Sequence, residues 1–96
     1  MSDLDRVRGE IERLDRALLA LIGERVRAAT RAAAAKRAAG LPTLAPAQEA
    51  AVVRRAAALA REAGLPEEDV RDLFWIIIGL TRRAEQEASG TVAEQR

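Results

Sequence analysis

Five side chains able to do chemistry fall in line with apolar positions instead of opposite them: Arg25, Lys36, Glu49, Thr81 and Glu85. At about 100° per residue, a helix returns Arg25, 18 residues after Val7, to the face of Val7. Lys36, 11 residues further on, comes back to that face within about 20°. The same arithmetic carries the apolar stripe Val70, Phe74, Ile77 on into Thr81 and Glu85, and puts Glu49 at the head of the stripe Val52, Val53, Ala56, Leu59. Buried charge is unfavourable unless paired or bound to a ligand, so two cations, two carboxylates and a hydroxyl converging among helices make either an ion-pair network or a polar pocket. Snorkelling to solvent accounts for any one such residue, but less well for all of them on three segments. Arg8 stands 17 residues before Arg25 and hence about 100° away from it. Off that face it reads as an ordinary solvated arginine near a helix start or, in a long antiparallel dimer, as a group delivered to the pocket of a second chain.

The chemistry open to such a pocket is narrow. Histidine and cysteine are both absent, which removes disulfides, thiolate catalysis, most zinc and haem sites and the commonest general base. Carboxylates, guanidinium and ammonium groups, hydroxyls and amides are left, and no metal or cofactor is expected. The 16 basic and 15 acidic residues nearly cancel and are interspersed, so neither nucleic acid nor a membrane surface is an expected partner. The start of the chain is acidic without an apolar leader, and no apolar run is long enough to span a bilayer, so a cytoplasmic protein is expected.

Three helices must position these groups. Ser2 reads as an N-cap with Asp3 and Asp5 in the first turn, and Val7, Ile11, Leu14, Leu18, Leu21 and Ile22 recur at helical spacing. Nothing interrupts until Gly40-Leu41-Pro42, so the first helix runs from about Asp3 for some 35 residues, or roughly 50 Å. Pro46 to about Ala63 reads as a second helix, stopped by Gly64-Leu65-Pro66, and Pro66 to about Ala88 as a third. The run Leu73-Phe74-Trp75-Ile76-Ile77-Ile78 is apolar all round, which implies burial on several faces. Ser89 to Arg96 reads as a frayed, flexible tail. A chain of 96 residues is too short to fold back over so long a helix, so an all-α homodimer is expected.

Val7 to Arg25 resembles the opening helix of the helical chorismate mutases, which reads R-x-x-I-x-x-L-D-x-x-(I/L)-(L/V)-x-L-(I/L)-x-x-R, here from Arg8 through Ile11, Leu14, Asp15, Leu18, Leu19, Leu21 and Ile22 to Arg25. The resemblance continues through Lys36, Pro46-Ala47-Gln48-Glu49, Gly64-Leu65 and the Leu73–Ile78 run to Glu85-Gln86, covering roughly residues 4 to 88. It implies an intertwined dimer of three-helix chains that performs a Claisen rearrangement of chorismate. It further implies that Arg25, with Arg8 from the other subunit, clamps carboxylates and that Lys36 contacts a carboxylate and the ether oxygen. Gln48 and Glu49 then lie near the C4 substituent, Thr81 supports a carboxylate and Glu85 faces the ether oxygen.

Three positions depart from the family pattern, which commonly has an acid at Ala45, Arg at Gln48 and, in many members, Gln at Glu85. Neutral Gln48 beside a retained Glu49 favours a positively charged substituent, hence 4-amino-4-deoxychorismate as a substrate, whereas Ala45 points the other way. A carboxyl at Glu85 donates to an ether oxygen only as the neutral acid, so activity is expected to fall as pH rises and Glu85→Gln to flatten the profile. Two other readings compete. Isochorismate pyruvate lyases resemble the family in fold and in their Arg and Lys set, and related members carry an Ala-Pro like Ala45-Pro46. A non-catalytic dimerisation or regulatory homologue would explain the three departures as decay of the site.

Overall fold

The computed structural model describes residues 2–43 and 45–94, with side chains through Ser89. Three helices follow one another: α1 (Asp3–Ala38), α2 (Pro46–Glu62) and α3 (Glu67–Glu94). The start of α1 is closed by a full capping box, in which Ser2 Oγ accepts from the Asp5 backbone and the Asp5 side chain accepts from the Ser2 backbone. Both internal stops are built alike. Gly40 and Gly64 each take φ of 73°. The next residue turns its N–H back into the helix, Leu41 to the Lys36 carbonyl and Leu65 to the Ala60 carbonyl, each at 2.8 Å. A proline then prevents either helix from resuming along its old axis. Pro46 occupies the first turn of α2, where its missing N–H is of no consequence; Ala45 provides no side-chain cap.

α3 packs against both other helices, while α1 and α2 make no direct packing contact among the described residues. The core is small and rich in alanine: Ala33, Val53, Ala56, Ala57, Ala60, Ile77 and Ile78. Small side chains let the α2–α3 hairpin close tightly. The predicted helix ends agree with those observed for α1 and α2, but α3 continues past Ala88 to Glu94. The segment read as a frayed tail therefore begins as a continuation of that helix, and Gln95 and Arg96 lie outside the described residues.

The all-round apolar run of α3 is buried on one side only. Ile77 and Ile78 are buried and Phe74 half-buried, while Leu73, Trp75, Ile76 and Leu80 are exposed. The first half of α1 goes further, since every residue from Ser2 to Leu21 is exposed, the stripe Leu4, Val7, Ile11, Leu14, Leu18 included. Two helices cannot cover a third that is longer than both of them are deep, as the molecular dimensions of 57 × 31 × 16 Å make plain. Among the described residues, no helix is long and apolar enough to cross a membrane.

Candidate active site

The second half of α1, the start of α2 and the second half of α3 surround a cavity of about 130 Å³ at the place where α1 and α2 fail to touch. Arg25 and Lys36 enter it from α1, Gln48 and Glu49 from α2, and Thr81, Arg82 and Glu85 from α3. Ala29, Val52 and Ile78 form apolar walls, and Thr43 and Ala45 line it from the connecting segment. The helical repeat is what brings these groups together: Lys36 follows Arg25 by three turns, and Glu85 follows Thr81 by one, so each helix turns the same face to the cavity.

Arg25, Lys36, Glu49 and Glu85 are half-buried, Thr81 is buried and Gln48 is exposed. The cations anticipated as buried are thus only partly withdrawn from water within one chain, because the cavity lacks a fourth wall. The Arg25 guanidinium carbon sits 5.9 Å from the centroid of the Phe74 ring. That distance is within the range of a cation–π contact, which orients the side chain without neutralising it. The Lys36 carbonyl is tied into the α1 stop, which fixes the backbone from which its ammonium extends. Thr81 Oγ1 donates its single proton to the Ile77 carbonyl at 2.9 Å. The hydroxyl therefore presents lone pairs to the cavity, and it would have to rotate to support a carboxylate as the sequence resemblance implied.

Arg8 is the one sequence-predicted site residue outside the cavity. It is exposed on the first half of α1, roughly 25 Å along the helix axis from Arg25, beyond the reach of any side chain.

Arg82, conversely, has no place among the sequence-predicted residues. Its Nε donates to Glu49 Oε2 at 2.7 Å and its Nη2 donates to Glu49 Oε1, a bidentate pair that ties α3 to the start of α2. These hydrogen bonds hold the Arg82 guanidinium above the usual arginine value, against a smaller opposing effect of burial, and the charges of Glu49 and Glu85 add to the rise. The stripe criterion misses Arg82 because it lies eight residues after Phe74 and so about 80° off the apolar face. A different signal was present. Glu49 and Arg82 are nearly equidistant in sequence from the Gly64-Leu65-Pro66 turn, so a helical hairpin must bring them level.

With Arg82 included, the cations lining the cavity are Arg25, Lys36 and Arg82 and the carboxylates Glu49 and Glu85, an excess of one positive charge when all are ionised. The reading of Gln48 beside Glu49 as favouring a positively charged substituent did not include Arg82, which brings a cation to Glu49 from another helix. An enclosure with excess positive charge, no thiol and no imidazole can bind and polarise an anion, but offers no strong nucleophile.

Among curated proteins, no match to the chain was found. A family model, described as chorismate mutase type II, matches residues 7–86. That span contains α1 from Val7 onward, all of α2, α3 as far as Gln86 and every residue of the cavity. With most of its length matched, the chain belongs to the chorismate mutase type II family.

Proposed function

We propose that the protein catalyses a Claisen rearrangement of a chorismate-type dicarboxylate, either chorismate to prephenate or its 4-amino-4-deoxy counterpart, in a homodimer. The observation that carries this reading is the meeting of Arg25, Lys36, Glu49, Thr81 and Glu85 around one cavity, in a chain that belongs to this family. The rearrangement breaks one C–O bond and forms one C–C bond within a single molecule, with no nucleophile and no obligatory proton transfer. Its catalyst has two tasks: to hold a flexible dianion in the reactive chair, and to stabilise negative charge building on the ether oxygen.

Arg25, oriented by Phe74, offers a planar fork to one carboxylate. Lys36 brings a mobile point charge to the ether oxygen, with Glu85 as a second donor when neutral. Within one chain Arg25 is the only guanidinium of the cavity not already committed to Glu49, whereas the ligand has two carboxylates. Arg8 of the partner subunit would supply the remaining cation, as its exposure and its distance from its own cavity favour. The bare apolar stripe of α1 gives the second copy a surface to cover, each large side chain buried being worth about 1.5–3 kcal/mol.

Separate incubation with chorismate, 4-amino-4-deoxychorismate and isochorismate, followed by product identification, tests the reading. The rearranged product from either of the first two is the expected result. Release of pyruvate from isochorismate alone would replace it with a lyase, and inertness toward all three would leave a non-catalytic helical homologue.

A further inference from the structure

We infer that Arg82 sets the charge preference of the cavity at Glu49: by holding both carboxylate oxygens, it makes that corner receptive to a neutral hydroxyl and unreceptive to a protonated amine on the bound ring. The inference rests on the Claisen reading above and names which of its two substrate classes the site accepts.

An ionised carboxylate has about four lone-pair sites, of which a bidentate guanidinium takes two. A hydroxyl can still donate into one of the remainder, and it brings no charge with it. An allylic amine, protonated near neutral pH, would instead place a second full cation beside the guanidinium, in a cavity already lined by Arg25 and Lys36. The attraction that an unpaired Glu49 would extend to an ammonium is spent on Arg82 before any ligand arrives. The surroundings reinforce this. The Glu49 side chain is only 18% exposed, so its charge is poorly screened by water, while the Arg82 side chain at 45% reaches it from the rim. Glu85 lines the same cavity, and its charge adds slightly to the rise of Arg82 above its usual value. Gln48 is exposed and uncharged, so it does not alter the balance. Arg82 is thus a positioning residue that acts through Glu49.

The test is kcat/KM for chorismate and for 4-amino-4-deoxychorismate, measured for the wild type, Arg82→Gln and Arg82→Lys. The wild type should prefer the hydroxyl substrate. Arg82→Gln should move the ratio toward the amine on the order of tenfold, the equivalent of about 1.4 kcal/mol. Arg82→Lys, which restores charge, should recover most of the preference. If circular dichroism shows that Arg82→Gln has lost its helices, Arg82→Met keeps the aliphatic stem and should give the same shift. A ratio unmoved by loss of the guanidinium, or a wild type that prefers the amine, overturns the role of Arg82 and leaves the Claisen reading standing. Failure of the wild type to turn over either substrate overturns the Claisen reading itself, and this inference with it.

Discussion

Arg25 and Lys36 differ from ordinary surface cations in what faces them: an aromatic ring for Arg25 and a shared cavity for both, with no carboxylate in a salt bridge with either among the described residues. Under the proposed function, side chains held in this way would serve an incoming anion more than the fold. Arg25→Ala and Lys36→Ala should each lower kcat/KM about a hundredfold to a thousandfold, the usual effect of deleting one preorganised donor. Thermal unfolding of ligand-free Arg25→Ala should show no loss of stability, since removing an uncompensated cation relieves strain. A large drop would mean that Arg25 is structural. Glu85 can assist at an ether oxygen only by donating, as an amide also can, so Glu85→Gln should keep or raise kcat/KM while Glu85→Ala lowers it; equal losses in the two variants would remove Glu85 from the reaction.

At the scale of elements, the two glycine stops decide where the functional groups sit. Gly64 closes the hairpin that brings Glu49 level with Arg82, and at φ of 73° a side chain there is strained even though no neighbouring atom would obstruct it. Gly64→Ala should therefore lose about 1–2 kcal/mol of stability in urea denaturation, from backbone conformation alone. The same joint is clipped by Arg61 on α2 and Glu67 at the start of α3. Hydrogen bonding to Arg61 holds the Glu67 carboxyl below its ordinary value. Because the folded-state value is the lower one, the pair contributes stability at neutral pH that disappears as pH falls through the folded-state titration of Glu67. Melting temperatures of the wild type and Arg61→Ala should accordingly differ near neutrality and converge in acid. A gap that persists in acid would rule out the ion pair as its cause.

For the whole molecule, the unsolved problem of a single chain is the first half of α1. Leu14 is 64% exposed and Leu19 68% exposed, and such a run of apolar side chains stays in water only until a second surface covers it. Sedimentation should find a dimer, and Leu14→Glu combined with Leu18→Glu should yield monomers without activity. The reach of Arg8 permits a sharper measurement. Chains carrying Arg8→Ala and chains carrying Arg25→Ala, each inactive alone, should regain activity when refolded together, with about a quarter of the sites intact under random pairing. No recovery on mixing would place Arg8 outside the site.

Much of this architecture was legible along the chain, because its signals are local. Ser2 with Asp5, Gly40-Leu41-Pro42 and Gly64-Leu65-Pro66 fix helix ends by backbone geometry that neighbouring residues dictate. The spacing of Arg25, Lys36, Thr81 and Glu85 assigns each to a helix face by rotation alone, and all four line the one cavity. Tertiary structure alone decided what those faces meet. It tied Glu49 to Arg82 across 33 residues, and left one side of α3 and half of α1 without cover. Helical periodicity gives a direction for each Cβ but neither the length a guanidinium will span nor the neighbour it will choose, and those are set only when two helices lie side by side.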